Sequence, residues 1–220
     1  MQEEFSSHLK RRRRSDGERN RSRLIAAAKL AFAERGGAAS LEGIARAAET
    51  SIASLYRHFP TRDALIEAVY RQETETLITA AARLMTEREP VTALREWLLL
   101  FVEFLDAKQG MAEALDTLIG GPDALYSGTP GRLASPIGAL VDRAVQTGAF
   151  QIDVEPLDLL RAIAGVANVR HNNKWKNSAV LMVDLLLKGC VTHMNSRFGQ
   201  SSESQTGPSR LIVRKKTSRS

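Results

Sequence analysis

The 220-residue chain is poor in the residues that carry most enzyme chemistry. It has one cysteine, Cys190, so no internal disulfide can form, and a lone thiol in an apolar run fits a reducing cytoplasm. Its four histidines, His8, His58, His171 and His193, are far apart, and no His-x-x-x-His or Cys-x-x-Cys pair is present to hold a metal. A glycine-rich phosphate loop and a Gly-x-Ser-x-Gly elbow are also missing. Catalysis, a bound metal and a cofactor are therefore not expected. The longest apolar runs, around residues 97–104 and 178–187, are broken by Glu103 and Asp184, too short for a membrane span. The N-terminus lacks the apolar segment of a secretory signal. Period-two alternation is scarce too: only "RLIVRKK" near the end could pass for a strand, and it has no partner. These absences leave an all-α chain.

What is present is charge, unevenly spread. The net +6 divides into +5 over residues 1–66, −3 over 67–197 and +4 over 198–220. A basic front end on an acidic body points to a polyanion-binding module joined to something else. The run "KRRRR", residues 10–14, is the densest part of it, and its bland reading is a solubilising tail.

Helical periodicity fills the middle. Leu24, Ala27, Ala28, Ala31 and Phe32 recur at three- and four-residue steps, predicting an amphipathic helix over about 19–35 that "GG" at Gly36 and Gly37 would stop. Ser40 stands at an N-cap position before "LEGIARAA", Ser51 before "IASLYRHF", and Thr61 before a long helix to about residue 88, where Pro90 intervenes. Further helices are expected at about 91–107, 111–119, 132–146, 157–169 and 178–195. Gly110, "GGP" at 120–122, "SGTPG" at 127–131, Gly148 and "HNN" at 171–173 would form the loops. The segment from 198 is rich in Ser, Gly and basic residues and reads as a disordered basic tail.

Three short helices with a tight turn between the second and third describe a helix-turn-helix, whose third helix enters the DNA major groove. In "SIASLYRHFPTRDAL", Leu55 and Phe59 are four apart and face inward. Ile52, Ala53, Ser54 and Tyr56 are expected on or beside the outer face, with small or apolar side chains against thymine methyls and Ser54 against a base edge. Tyr56, His58 and Arg62 carry donors suited to phosphate oxygens, and backbone amides behind Ser40 and Thr61 would add anion sites. Ser51 caps the recognition helix.

Residues 19 to about 70 resemble the DNA-binding domain of the tetracycline-repressor (TetR) family, through "AFAERGGAASLEGIARAA" and, most specifically, "SLYRHFPTRDALIEAVY". In that family a Leu-Tyr-x-His-Phe run closes the recognition helix and a basic residue at the start of the next helix grips phosphate. Leu55, Tyr56, His58, Phe59 and Arg62 hold those positions here. Two departures stand out. The turn, usually Gly-Val-Ser with the glycine at positive φ, reads Glu49, Thr50, Ser51, and Ala53 replaces a frequent glycine.

The resemblance implies a division into a flexible basic arm (1–18), the helix-turn-helix domain (19–66), a helical effector-binding and dimerisation domain (67–197) and the tail (198–220). Arg11, Arg12, Arg13 and Arg14 of the arm would reach the minor groove or flanking phosphates, or add only nonspecific attraction. The last helix, "AVLMVDLLLKGCVTHM", is apolar on more than one face, which suits a homodimer interface or a central place in one subunit. The effector pocket has only candidates: Trp97, Phe101, Phe104, Leu118, Tyr126 and Trp175 for its apolar wall, Asp106 and His171 among its polar groups. The resulting expectation is a cytoplasmic repressor on a double-stranded inverted-repeat operator, released by an unknown small molecule, with no membrane partner. A rival is an architectural DNA-binding protein of the same fold without an effector.

Overall fold

The computed structural model describes residues 2–119, 121, 123–148, 150–169 and 175–190, and in helical residues 2–15, 124 and 168–169 the backbone only. Among these residues there is no strand. The elements are α1 (Gln2–Arg35), a single 3-10 turn (Gly36–Ala38), α2 (Leu41–Ala47), α3 (Ile52–His58), α4 (Arg62–Glu87), α5 (Pro90–Gly110), α6 (Ala112–Asp116), α7 (Asp123–Val145), α8 (Pro156–Val169) and α9 (Trp175–Cys190). No helix of the described residues is long and apolar enough to cross a membrane.

The first three helices and the start of α4 close around Leu24, Phe32, Ile44, Leu55, Leu65 and Ile66, all buried to within a trace of solvent. Full burial of one such side chain stabilises by roughly 1.5–3 kcal/mol, which is what holds helices as short as α2 and α3. Helix α4 continues out of this head into the body, where its apolar stripe through Val69, Leu77, Ala81 and Leu84 packs against α5. Pro90 at the first position of α5 suits a site whose amide would lack a helical partner. Deep in the α4–α5 seam the Trp97 indole N–H donates to the Leu77 carbonyl at 2.8 Å, so a large apolar residue is buried with its one donor satisfied. Helix α7 lies against both α4 and α5, and the α8–α9 pair closes the body against α5 and α7.

Two elements differ from the sequence expectation. Helix α1 does not begin near residue 19: its backbone is helical from Gln2, through the stretch expected to be a flexible arm. That stretch has no proline and is rich in good helix formers. Helix α7 begins at Asp123 and runs through the predicted "SGTPG" loop with Pro130 and Pro136 inside it. Thr129, Leu133, Ile137, Leu140, Val141 and Ala144 make a buried stripe at three- and four-residue steps across both prolines. Burial of that stripe outweighs the local turn preference. The predicted tail, 198–220, lies outside the described residues.

Candidate functional site

The geometry of the head is set by its helix ends. The Ser40 hydroxyl accepts from the Gly43 amide at 3.2 Å, Ser51 from Ser54 at 3.1 Å and Thr61 from Ala64 at 3.1 Å, so all three expected caps are made. Helix α2 ends in a Schellman turn: the Thr50 amide bonds back to the Ala45 carbonyl at 2.9 Å and the Glu49 amide to Arg46 at 3.0 Å. The residue between must take a left-handed conformation, and Glu49, at φ 52°, takes it without being glycine. Its carboxylate accepts from Arg23 of α1 at 3.1 Å, tying the turn to the first helix.

This turn aims α3 so that Leu55 and Phe59 face the core, while Ala53, Tyr56 and Arg57 form its outer face, with Tyr56 47% exposed. Ile52 is half-buried at the edge. His58 is partly covered, its ring beside Gly17 of α1. Arg57, given no role by its sequence context, makes no ion pair among the described residues and stands one residue from Tyr56. Its position opposite Leu55 and Phe59 on a 100° wheel was the available signal.

Three expected DNA contacts are corrected. Ser54 is only 4% exposed and its hydroxyl is buried without a hydrogen-bond partner, so it faces the core and not a base edge. It falls one residue before Leu55, on the buried side of α3. Arg62 is not a free phosphate clamp: its guanidinium donates to the carbonyls of Ala39 at 2.6 Å and Gly37 at 2.8 Å and lies over the Phe32 ring at 5.2 Å. It staples the 3-10 turn to α4. Behind Ser40, the expected anion site already holds an anion. The Ser40 hydroxyl donates to the Glu42 carboxylate at 2.9 Å, and the backbone amide of Glu42 together with that hydroxyl holds its pKa below the usual carboxylate value. The side chains of Arg11 to Arg14 lie outside what is described; their backbone is helical.

The body contains a cavity of about 280 Å³ between α4, α5, α7 and α8. Of the pocket candidates, Phe101, Phe104 and Tyr126 line it, together with Tyr70, Lys108 and Leu133. Four pocket candidates do not meet there. Trp97 is fully buried in the α4–α5 seam and stacks on Phe101, 6.4 Å between ring centres. Asp106 and Trp175 line an open groove between α1, α5 and α9, where Lys176 reaches Asp106 at 3.3 Å and Glu103 at 2.6 Å. Leu118 is buried near the head, and His171 lies outside the described residues. Of the missed residues Lys108 lies on α5 itself, and the others are on α4, α7 and α8, which only the assembled fold brings to α5.

Within the cavity the Tyr70 and Thr129 hydroxyls share a hydrogen bond of 2.8 Å, and burial raises the Tyr70 pKa. Tyr126 is pushed up to about 12, first by burial and then by the charges of Tyr70, Asp116 and Asp123. The Lys108 ammonium stands over the Tyr126 ring at 3.7 Å, and burial draws its pKa down.

Between cavity and head lies α6. It follows the end of α5 and rests on the 3-10 turn, with Glu113 against Gly36 and Thr117 against Gly37. The Ile119 amide, just beyond, donates to the Asp63 carboxylate in the first turn of α4 at 3.0 Å.

Comparison with known proteins agrees with this geometry. Residues 24–69 match the bacterial regulatory proteins of the tetR family, and residues 89–191 match a transcriptional regulator SbtR-like C-terminal domain. The crystal structure of a TetR transcriptional regulator from Streptomyces coelicolor is similar at TM-score 0.69 and 36% identity, over 78% of this chain and 98% of that one. A TetR transcription regulatory protein from Mycobacterium vanbaalenii follows at TM-score 0.63 and 25% identity, over 81% and 99%. A transcriptional regulator from Cytophaga hutchinsonii, at TM-score 0.63 and 16% identity over 77% and 97%, shares the fold. No curated protein sequence matches significantly.

Proposed function

Because the chain belongs to the TetR family of bacterial regulatory proteins, we propose that this DNA-binding transcriptional regulator is a homodimeric repressor, released from an inverted-repeat operator by a small molecule. The observation that carries the DNA reading is the outer face of α3. Ala53, Tyr56 and Arg57 stand clear of the core, on a helix capped at its start by Ser51 and aimed by the Glu49 turn. Ala53 is small enough to let the helix sit deep against thymine methyls, while Tyr56 and Arg57 offer donors to phosphate or to a base edge. Arg57 takes the charged role that the sequence pattern assigns to Arg62.

Dimerisation is supported by α9. Its Ala179, Val183 and Leu187 face inward, yet Leu181 and Leu185, one turn apart, are 62% and 63% exposed. Two large leucines on a second face suit burial against the same helix of another copy. Two recognition helices would then enter successive major grooves, about 34 Å or somewhat more apart. Leu181→Glu should convert the dimer to a monomer in size-exclusion chromatography with light scattering, and an unchanged mass would move the interface elsewhere.

Effector release is supported by the cavity and by the contact of α6 with the head. A ligand acts only through its difference in affinity for the DNA-competent and DNA-incompetent states. The experiment that tests the whole reading is selection of sites from random duplex DNA at two salt concentrations. Recovery of an inverted repeat upholds a sequence-specific dimer. Affinity that fades with salt and enriches no motif points to the architectural alternative.

A further inference from the structure

Building on the reading of the body cavity as the effector site, we propose that it takes a small amphipathic monoanion: a carboxylate on a single aromatic ring or short alkyl chain, with the carboxylate bound by Lys108. The cavity's two cations differ in one respect. Arg161 is held by Asp158 at 2.6 Å, whereas Lys108 has no carboxylate within ion-pair distance among the described residues. What the ammonium meets instead is the face of Tyr126 at 3.7 Å. A half-buried lysine without a carboxylate partner is unfavourable by itself, and its lowered pKa reflects that burial. An incoming carboxylate would supply the missing charge beside a half-buried ammonium, where a charge-assisted hydrogen bond is stronger than at the open surface.

The remaining walls define the rest of the ligand. Phe101, Phe104, Leu133, Leu157 and Leu160 present carbon. Tyr70 is already engaged with Thr129, so it leaves few polar demands on a ligand. Tyr126, kept protonated up to about 12, makes no hydrogen bond among the described residues and offers an anion a neutral donor. The 280 Å³ volume holds roughly nine waters' worth of ligand, which suits one ring or a short chain. A cationic ligand would meet Lys108 and Arg161 with no free carboxylate to receive it.

The test pairs each acid with its uncharged amide: benzoate with benzamide, phenylacetate with phenylacetamide, hexanoate with hexanamide. Calorimetric titration on the full-length protein should find at least one acid binding about tenfold or more tighter than its amide. Lys108→Met should lower the acid to the amide's affinity while leaving the amide nearly unchanged. Lys108→Arg, which keeps the charge, should preserve the acid preference, and a thermal melt of each variant checks folding. Equal binding of acid and amide, full acid affinity in Lys108→Met, or no binding of any pair at roughly millimolar concentration overturns the proposal. The same acids added to a protein–DNA complex separate this from the effector reading. Lys108-dependent binding that leaves DNA bound keeps the carboxylate site and sinks the release role. Release by an uncharged compound alone keeps release and sinks the carboxylate.

Discussion

Replacing Glu49 with glycine and, separately, with alanine isolates the strain at the turn from the charge it carries. A residue with a Cβ in left-handed geometry costs about 1–2 kcal/mol, which glycine removes and alanine keeps. Glycine in turn gives back about 0.4–1 kcal/mol through the greater freedom of the unfolded chain. Both variants lose the Arg23 ion pair equally, and with the Glu49 side chain 83% exposed that pair contributes at most about 0.5 kcal/mol. Glu49→Gly should therefore be about 0.5–1 kcal/mol more stable than Glu49→Ala, or about 1–4 °C in Tm for a chain of this length. Thermal melts of the two variants side by side give that difference directly. For DNA the comparison reverses its use. Both variants remove a carboxylate from the turn ahead of α3 and free Arg23, so both should tighten binding alike and steepen its salt dependence by up to about one counterion. Fluorescence anisotropy on a selected operator at several salt concentrations measures this. Alanine as stable as glycine would refute the strain account, and unchanged DNA affinity in both would place the carboxylate away from the phosphates.

Ser54→Ala removes a buried hydroxyl without a partner, so it should hold or raise stability by up to about 1 kcal/mol and leave the selected DNA motif unchanged; a shifted motif would return Ser54 to base readout. Arg62→Ala should lower stability by about 2 kcal/mol through loss of its bonds to Gly37 and Ala39, whereas Arg57→Ala should leave the melt alone and flatten the salt slope of DNA binding by about one. The reverse pattern would restore Arg62 as the phosphate clamp. Raising pH from 10 toward 12 should weaken the fold, because unfolded Tyr126 has lost its proton there while the folded residue keeps it up to about 12. Urea midpoints across that range should fall less steeply in Tyr126→Phe, and an identical slope would remove Tyr126 as the cause.

The head was legible because its signals are local. Ser40, Ser51 and Thr61 each announce a helix start within four residues, and the left-handed demand at Glu49 follows from the turn alone. Direction within a short helix was less so. Ser54 is one residue from the buried Leu55, and in α3 only side-chain burial tells which of the two flanks of the stripe it joins. Arg62 reads as a surface base until the carbonyls of Gly37 and Ala39 are brought beside it from more than twenty residues away. The cavity was the least legible part. Phe101 and Phe104 share it at a helical step, but Trp97, one turn earlier on α5, points into the seam with α4, and Lys108 gains its meaning only when Tyr126 of α7 is laid under it. Helix α7 shows the opposite error, since Gly128, Pro130 and Gly131 there suggested a loop that the buried stripe prevents.

Gly36 bears on how such a protein can be recombined. A side chain there would have to accept φ 52° and would overlap the Glu113 carboxylate, with the Cβ of Glu113 only 2.9 Å away. The reading head thus meets the body through a close-fitting seat whose halves belong to different segments: the 3-10 turn after α1, and α6 after α5. A chimera that transplants residues up to the start of α4 onto another body would carry one half of that seat and inherit a stranger's version of the other. Heads and bodies of this architecture should exchange well only when the donor's α6 travels with the head, or when the recipient already places a side chain of matching size opposite the glycine pair.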